Sequence, residues 1–113
     1  MRRNLTRIER LRSQSEISRV FKSSSRVSCP GAKLVYRRNE LEWNRIAVTL
    51  VRKYGNSVQR NRSKRILREI YRSLKNNLKP GFDLVVVLYP GDYNYSIRES
   101  QVKYLFNKAN IFL

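Results

Sequence analysis

The chain has 113 residues, the length of one domain, and its formal net charge is +17, because 25 Lys and Arg residues face only 8 Asp and Glu residues. That excess excludes a neutral globular surface, since the charges repel one another unless an anion lies against them. The anion could be nucleic acid, a membrane or an acidic protein. A membrane is disfavoured, because no run approaches the roughly 20 apolar residues of a spanning helix and no apolar signal segment follows the basic N-terminus.

The cysteine content bears on the compartment. Cys29 is the only cysteine, so no internal disulfide can form, and we expect a reducing, cytoplasmic location. Cys29 itself is interpreted as a small apolar packing or loop residue.

The N-terminal region is predicted to be a basic tail over residues 1–12, followed by a helix that ends near Ser24. Residues 13–16 form a capping-box pattern, in which the Ser13 hydroxyl accepts from a backbone N–H and the Glu16 side chain reaches back. Three apolar residues then share one helical face: Ile17, Val20 and Phe21.

The next region is predicted to be a β-hairpin. One β-rich run covers residues 32–38, directly after Gly31, and a second covers residues 45–51, with a polar connection between them. Two such runs are typical of antiparallel neighbours, so we expect them to pair directly.

A turn over residues 53–56 precedes a long helix, which Asn56 or Ser57 can cap. The helix is predicted to run to about Leu74, where an Asn-rich stretch and Pro80-Gly81 end it.

The last region is predicted to be a strand and a helix. Residues 83–89 are nearly all apolar, which favours a central strand covered on both faces. A second capping box over residues 96–99 is predicted to start the final helix, whose apolar stripe contains Val102, Leu105, Phe106 and Ala109. The order α-β-β-α-β-α predicts a single α+β domain with a mixed sheet.

The long helix separates a basic stripe from an apolar one when its residues are placed about 100° apart. The apolar side holds Ile66, Leu67, Ile70 and Leu74. An ordinary solvated face is the usual interpretation of a charged helix, but such a face intersperses acids, and here only Glu69 is available. Guanidinium groups suit phosphate, and a helix N-terminus favours anions. The basic stripe consists of Asn61, Lys64, Arg65, Arg68 and Arg72, flanked by Arg60 and Arg62.

The sequence predicts no complete catalytic centre. It contains no histidine, the side chain most often used for proton transfer. A two-metal nuclease needs several converging carboxylates, and only Glu40 and Glu42 are close in sequence. No Gly-rich phosphate loop, zinc-ligand set or activated nucleophile is present.

Residues 52–65, Arg-Lys-Tyr-Gly-Asn-Ser-Val-Gln-Arg-Asn-Arg-Ser-Lys-Arg, resemble the motif of the bacterial ribonuclease P protein component. That family carries a lysine, a glycine, an alanine-valine pair, then Arg-Asn-Arg and Lys-Arg along its long helix. Weaker similarity extends over nearly the whole chain, including the first helix, the strand with Tyr36 and the apolar strand before Pro90.

The resemblance implies an α-β sandwich whose β-α-β crossover, containing the basic helix, is left-handed. It implies a partner, the catalytic ribonuclease P RNA, and a substrate, the 5′ leader of precursor tRNA, removed by Mg²⁺-dependent hydrolysis at an active site in the RNA. No obligate protein partner is inferred. The residues implied to face the RNA are Arg60, Asn61, Arg62, Lys64, Arg65, Arg68 and Arg72. Those implied to line the leader cleft are Ile17, Phe21 and Tyr36, with Lys53 near its edge.

Other interpretations account for part of the pattern. A ribosomal protein or general RNA chaperone explains charge and size equally well, but not the ordered motif around Gly55. A DNA-binding helix protein would place the basic helix in a major groove, yet no helix-turn-helix pair surrounds it. Ile17 stands where the family often has an aromatic residue, so apolar contact would replace base stacking there.

Overall fold

The computed structural model describes residues 7–23 and 25–113. These residues form helices packed on a mixed four-stranded sheet, as in an α+β domain, so the predicted fold class is confirmed. In chain order the elements are a 3₁₀ turn at Arg7–Glu9, α1 (Gln14–Phe21), β1 (Arg26–Cys29), β2 (Ala32–Arg38), β3 (Arg45–Leu50), α2 (Ser57–Leu74), a 3₁₀ turn at Lys75–Asn77, β4 (Phe82–Leu88) and α3 (Tyr95–Lys108).

The four strands form one mixed sheet in the order β1-β2-β4-β3. β4 pairs antiparallel with β2 and parallel with β3, and α2 makes the crossover between β3 and β4. Every residue of β4 after Phe82 is buried, which confirms the predicted central strand. The handedness of the crossover stays a prediction.

The predicted pairing of β2 with β3 is wrong, because β4 lies between them. A strand as apolar as β4 must be covered on both faces and both edges, and the centre of the sheet is where that occurs. The strand β1 was not predicted. It is only four residues long and joins β2 through a tight turn in which Gly31 has a φ of +89°, a conformation that favours glycine.

Helices cover both faces of the sheet. On one face α1 packs over a small core made of Leu11, Val20, Val35, Ala47, Val85 and Val87. On the other face α2 and α3 pack over a larger core that includes Leu34, Ile46, Leu67, Ile70, Leu84, Val86 and Phe106. The protein is therefore a three-layer sandwich, with α1 alone on its side.

The helix starts differ in part from the predicted caps. Ser13 accepts from the Glu16 N–H at 3.1 Å as predicted, and one Glu16 carboxylate oxygen reaches back to the Ser13 hydroxyl at 3.3 Å while the other accepts from Arg45. Asn56 caps α2 in a reciprocal box with Gln59. The predicted box over residues 96–99 is wrong, because Asn94 caps α3 and its side chain accepts from the Ile97 N–H.

The N-terminal segment differs from a free tail where it is described. Arg10 bridges to Ile46, and the Leu11 N–H donates to the Ile46 carbonyl at 3.0 Å, so this segment lies along the edge strand β3. α1 ends at Phe21, earlier than predicted. Residues 1–6 of the predicted tail and Ser24, the predicted end of the helix, lie outside the described residues.

Candidate nucleic-acid interface

The helix α2 presents its predicted basic side chains on its outer surface. Its inward stripe is buried, and includes Tyr71, which the sequence analysis did not place in the core. The basic stripe divides by exposure: Asn61, Arg62, Arg65 and Arg68 are exposed, whereas Arg60, Lys64 and Arg72 are half-buried. The geometry therefore leaves four of the seven predicted residues open to solvent on α2, and the other three half-buried.

This surface is poorly neutralised. Ion pairs among the described residues include those that join Arg45 to Glu16, Arg45 to Asp83 and Lys75 to Glu9. Within that described part of the chain, Arg62, Arg65 and Arg68 form no ion pair. Like charges spaced three and four residues apart on a helix destabilise it, so the arrangement favours binding of an external anion.

The first turns of α2 lie against the end of β3. The Arg60 guanidinium donates to the Val51 carbonyl at 3.4 Å, a long bond that still draws this side chain inward. The Asn56–Gln59 box satisfies N–H groups at the start of the helix. Asn61 and Arg62 stay exposed beside this end, where the helix dipole favours phosphate.

A groove of about 370 Å³ lies on the other side of β3, between α1 and the edge of α2. It forms because α1 packs chiefly over β2 and β4 and leaves room beside β3. Ile17 lines one wall, Thr49 the floor and Arg68 the rim shared with the basic face of α2. Arg10 and Arg12 also line the groove, so three arginines surround it.

Arg10 and Arg12 were not among the predicted site residues. They flank Leu11, which is only 5% exposed, and an Arg-Leu-Arg alternation is what an extended segment beside a sheet shows. Two contacts hold the start of this segment: the Trp43 indole N–H donates to the Ile8 carbonyl at 3.1 Å, and the Lys75 ammonium lies 3.2 Å from a Glu9 carboxylate oxygen. The backbone that carries both arginines is therefore held at the groove.

A clamp centred on Arg45 fixes α1 over the sheet. Its guanidinium donates to the Glu16 carboxylate at 2.7 Å and to both oxygens of Asp83 at 2.8 Å. These interactions, above all the hydrogen bond to Asp83, hold the pKa of Arg45 above its ordinary value. The walls of the groove are positioned by this clamp.

The four predicted cleft residues do not all come together. Ile17 and Phe21 are half-buried against the α1-side core, which Val51 also joins, and Lys53 is exposed two residues after Val51. The Tyr36 side chain lies on the opposite face of the sheet, where its ring meets that of Phe82 edge-on at 6.3 Å.

Alternation along β2 explains this separation. Val35 points toward α1, so its neighbour Tyr36 must point away. Only the backbone of Tyr36 is near the end of α1, through hydrogen bonds with Ser23 and Ser25. A contact between Tyr36 and a leader stays a prediction.

Two further findings concern the described residues as a whole. Over residues 7–23 and 25–113, no group of three His, Cys, Asp or Glu side chains could hold a metal ion. Over the same ranges, no helix is long and apolar enough to cross a membrane.

These features define a small, strongly basic α+β protein with an arginine-rich helix on one side of an edge strand and a basic groove on the other. Residues 5–110 match the family model described as Ribonuclease P. The chain therefore belongs to the ribonuclease P protein family, the protein components of a tRNA-processing endoribonuclease complex that has an RNA partner.

Relatives of known family agree with this assignment. The ribonuclease P protein component of Clostridium acetobutylicum is 34% identical over 108 residues, which cover 92% of this chain and 91% of that protein. The component of Petrotoga mobilis is 40% identical over 79 residues, or 70% and 67% of the two chains.

Solved structures agree as well. The RNase P protein from Thermotoga maritima matches with a TM-score of 0.77 at 25% identity, over 85% of this chain and 93% of that one. The Staphylococcus aureus RNase P protein matches with a TM-score of 0.85 over 93% and 98% of the chains; at 21% identity that likeness concerns the fold alone.

Proposed function

We propose that this protein binds the catalytic RNA of ribonuclease P through α2 and the 5′ leader of precursor tRNA beside α1, and so promotes Mg²⁺-dependent endonucleolytic removal of the leader. The observation that carries the proposal is the exposure of Arg62, Arg65 and Arg68 on α2, which form no ion pair among the described residues. Family membership supports ribonuclease P RNA as the partner. We place this activity in the cytoplasm, in keeping with the single cysteine.

The α2 surface suits a folded RNA. Exposed guanidinium forks can each grip a phosphate with two hydrogen bonds. Arg62, Arg65 and Arg68 have no competing carboxylate among the described residues. Each phosphate they neutralise releases condensed cations, so the complex should weaken steeply as salt rises.

The groove beside α1 suits a single strand. Ile17 offers apolar surface in the groove, and Arg10, Arg12 and Arg68 supply charge around its opening. Half-buried Phe21 offers an aromatic ring one turn further along α1. Single-stranded RNA is held by this combination of stacking and a basic track. Lys53 adds a cation at the end of β3. Because Arg68 borders both surfaces, one RNA assembly can contact both at once.

The chemistry of hydrolysis is assigned to the RNA. The residues that the structure describes provide no carboxylate cluster fit to hold Mg²⁺. The protein's own contribution is to bind and orient, which lowers the entropic cost of bringing leader and catalytic RNA together.

The test is cleavage of a precursor tRNA at low Mg²⁺, comparing protein alone, a bacterial ribonuclease P RNA alone, and the mixture. We expect the mature 5′ end to form fastest in the mixture and not at all with protein alone. Cleavage by the protein alone would overturn the assignment of chemistry to the RNA. No stimulation in the mixture would instead favour a ribosomal or chaperone role.

A further inference from the structure

Arg98 on α3 is buried although it carries a full charge. It is 2% exposed, and it forms no ion pair within the residues that the structure describes. Burying a charge is costly unless every donor finds an acceptor. Its guanidinium donates to four uncharged oxygens at 2.8–2.9 Å: the carbonyls of Gly31 and Tyr89, the Gln101 side chain and the Tyr54 hydroxyl.

These acceptors come from different parts of the fold. Gly31 lies in the turn between β1 and β2, Tyr89 follows β4, and Tyr54 lies in the turn that leads into α2. A planar guanidinium group with its donors in a fixed fork can serve all of them at once. Arg98 therefore joins α3, two strand ends and the approach to α2 at one point.

Tyr93 closes this point from solvent. Its ring centroid lies 4.5 Å from the guanidinium carbon of Arg98, a cation–π contact. The ring fits there because positions 31 and 91 are glycines: a Cβ at Gly31 or Gly91 would come within 2.6 or 2.3 Å of the ring. The buried charge of Arg98 is therefore closely packed by the Tyr93 ring.

The network continues into α2. The Tyr54 hydroxyl, which accepts from Arg98, lies 2.6 Å from the Ser63 hydroxyl in the second turn of the helix. Ser63 is flanked in sequence by Arg62 and Lys64, two residues of the basic face. The chain of contacts therefore runs from a buried cation to the middle of the proposed RNA-binding motif.

The first half of α2 has little else to hold it. Within α2, all of which the structure describes, no residue from Ser57 to Ile66 is buried, and Leu67 is the first that is. The second half is anchored by Leu67, Ile70 and Leu74 in the core. Apart from half-buried Ile66, which packs against the larger core, the polar links through Ser63 and the weaker Arg60–Val51 bond therefore set the position of the first half.

We infer that Arg98 is a positioning residue for RNA binding: through Tyr54 and Ser63 it fixes the first half of α2, and so holds Arg60, Asn61, Arg62 and Arg65 in one arrangement. This inference rests on the proposed function of α2.

The test uses conservative variants of the full chain and measures affinity for a bacterial ribonuclease P RNA. Tyr54→Phe and Ser63→Ala each remove one hydroxyl, and each should weaken binding about three- to tenfold, as expected for the loss of one ordinary hydrogen bond. Because both remove the same link, the double variant should bind no worse than either single variant. Ser73→Ala is the matched control, since its hydroxyl bonds only within α2, to the Ile70 carbonyl.

Amide hydrogen exchange supplies a readout that general destabilisation would not reproduce. In Tyr54→Phe and Ser63→Ala, exchange should accelerate over residues 57–66 and stay unchanged over residues 67–74. Arg98→Met, which keeps apolar bulk, should show the same exchange pattern if it folds. If it does not fold, Tyr54→Phe and Ser63→Ala test the positioning role.

The outcomes separate the two proposals. Loss of affinity in Arg65→Ala/Arg68→Ala, with no change in Tyr54→Phe and Ser63→Ala, would overturn the positioning role alone. Unchanged affinity in Arg65→Ala/Arg68→Ala would overturn RNA binding by α2, and the positioning role with it. Additive losses in the Tyr54 and Ser63 variants would also contradict a shared link.

Discussion

Arg45 and Asp83 face each other across the parallel strands β3 and β4, and the guanidinium donates to both carboxylate oxygens at 2.8 Å. The same guanidinium reaches Glu16 on α1, so this pair ties α1 to the central strand of the sheet. Asp83 is 5% exposed, which makes this a largely buried ion pair, and its disruption leaves Arg45 with the more exposed Glu16 as its ionic partner.

Asp83→Asn should therefore destabilise the fold by about 2–4 kcal/mol, because one partner of a buried pair is removed while the other remains. Urea unfolding followed by circular dichroism measures this free energy. Glu16→Gln is the matched control: its side chain is 33% exposed, and a pair of that kind contributes no more than about 1 kcal/mol. Equal losses in the two variants would mean that burial does not govern the clamp.

Arg65→Ala/Arg68→Ala should weaken RNA binding and make it less dependent on salt. For each phosphate that is no longer neutralised, the slope of log affinity against log salt concentration should fall by about 1. Filter binding over a range of salt concentrations measures both quantities. Lys103→Ala/Lys108→Ala removes the same charge from exposed positions of α3, and should leave the slope nearly unchanged. A similar fall in both pairs would show that net charge alone matters.

Features of the fold that depend on residues close in sequence were predicted from the sequence. The bounds of β2 and α2 and the two faces of α2 follow from side-chain periodicity and capping, and the structure agrees with them. Strand order was mispredicted because the place of β4 depends on burial across the whole sheet. No pattern around Asp83 indicates a partner 38 residues earlier in the chain.

In the candidate site, too, residues that follow a local pattern were predicted, and residues whose role depends on distant contacts were not. The basic residues of α2 could be found because they repeat along one helix. Arg98 fell within the predicted cap of the last helix. Its contacts could not be predicted from the sequence, because its acceptors Gly31 and Tyr54 lie 67 and 44 residues away along the chain. Tyr36 was assigned to the cleft by resemblance. Side chains alternate along β2, and because Val35 faces α1, the Tyr36 side chain points to the opposite face of the sheet.

Phe21→Leu should lower the preference for leader-bearing over mature tRNA, since it keeps apolar bulk and removes the aromatic face. Loss of one stacked base costs about 1–3 kcal/mol. Competition binding with the two RNAs measures the preference. Tyr36→Leu should change it less, because that ring packs against Phe82 on the opposite face. A larger effect at Tyr36 would support the cleft implied by the family resemblance and would contradict a leader path confined to the α1 side of the sheet.

Tyr71→Phe should make the protein less sensitive to alkali. Burial, with a smaller contribution from Glu9, raises the pKa of the Tyr71 phenol above its ordinary value of about 10. The stability that this shift contributes is fully present below the unfolded-state pKa and falls as the pH rises above about 10, where only the unfolded chain ionises readily.

Urea midpoints measured between pH 8 and 11 test this. The midpoint of the unaltered protein should fall more steeply above pH 10 than that of Tyr71→Phe. Tyr104→Phe is the control, because Tyr104 is 49% exposed, and its profile should follow the unaltered protein. Identical profiles for all three proteins would show that Tyr71 ionises as readily in the folded state as in the unfolded chain.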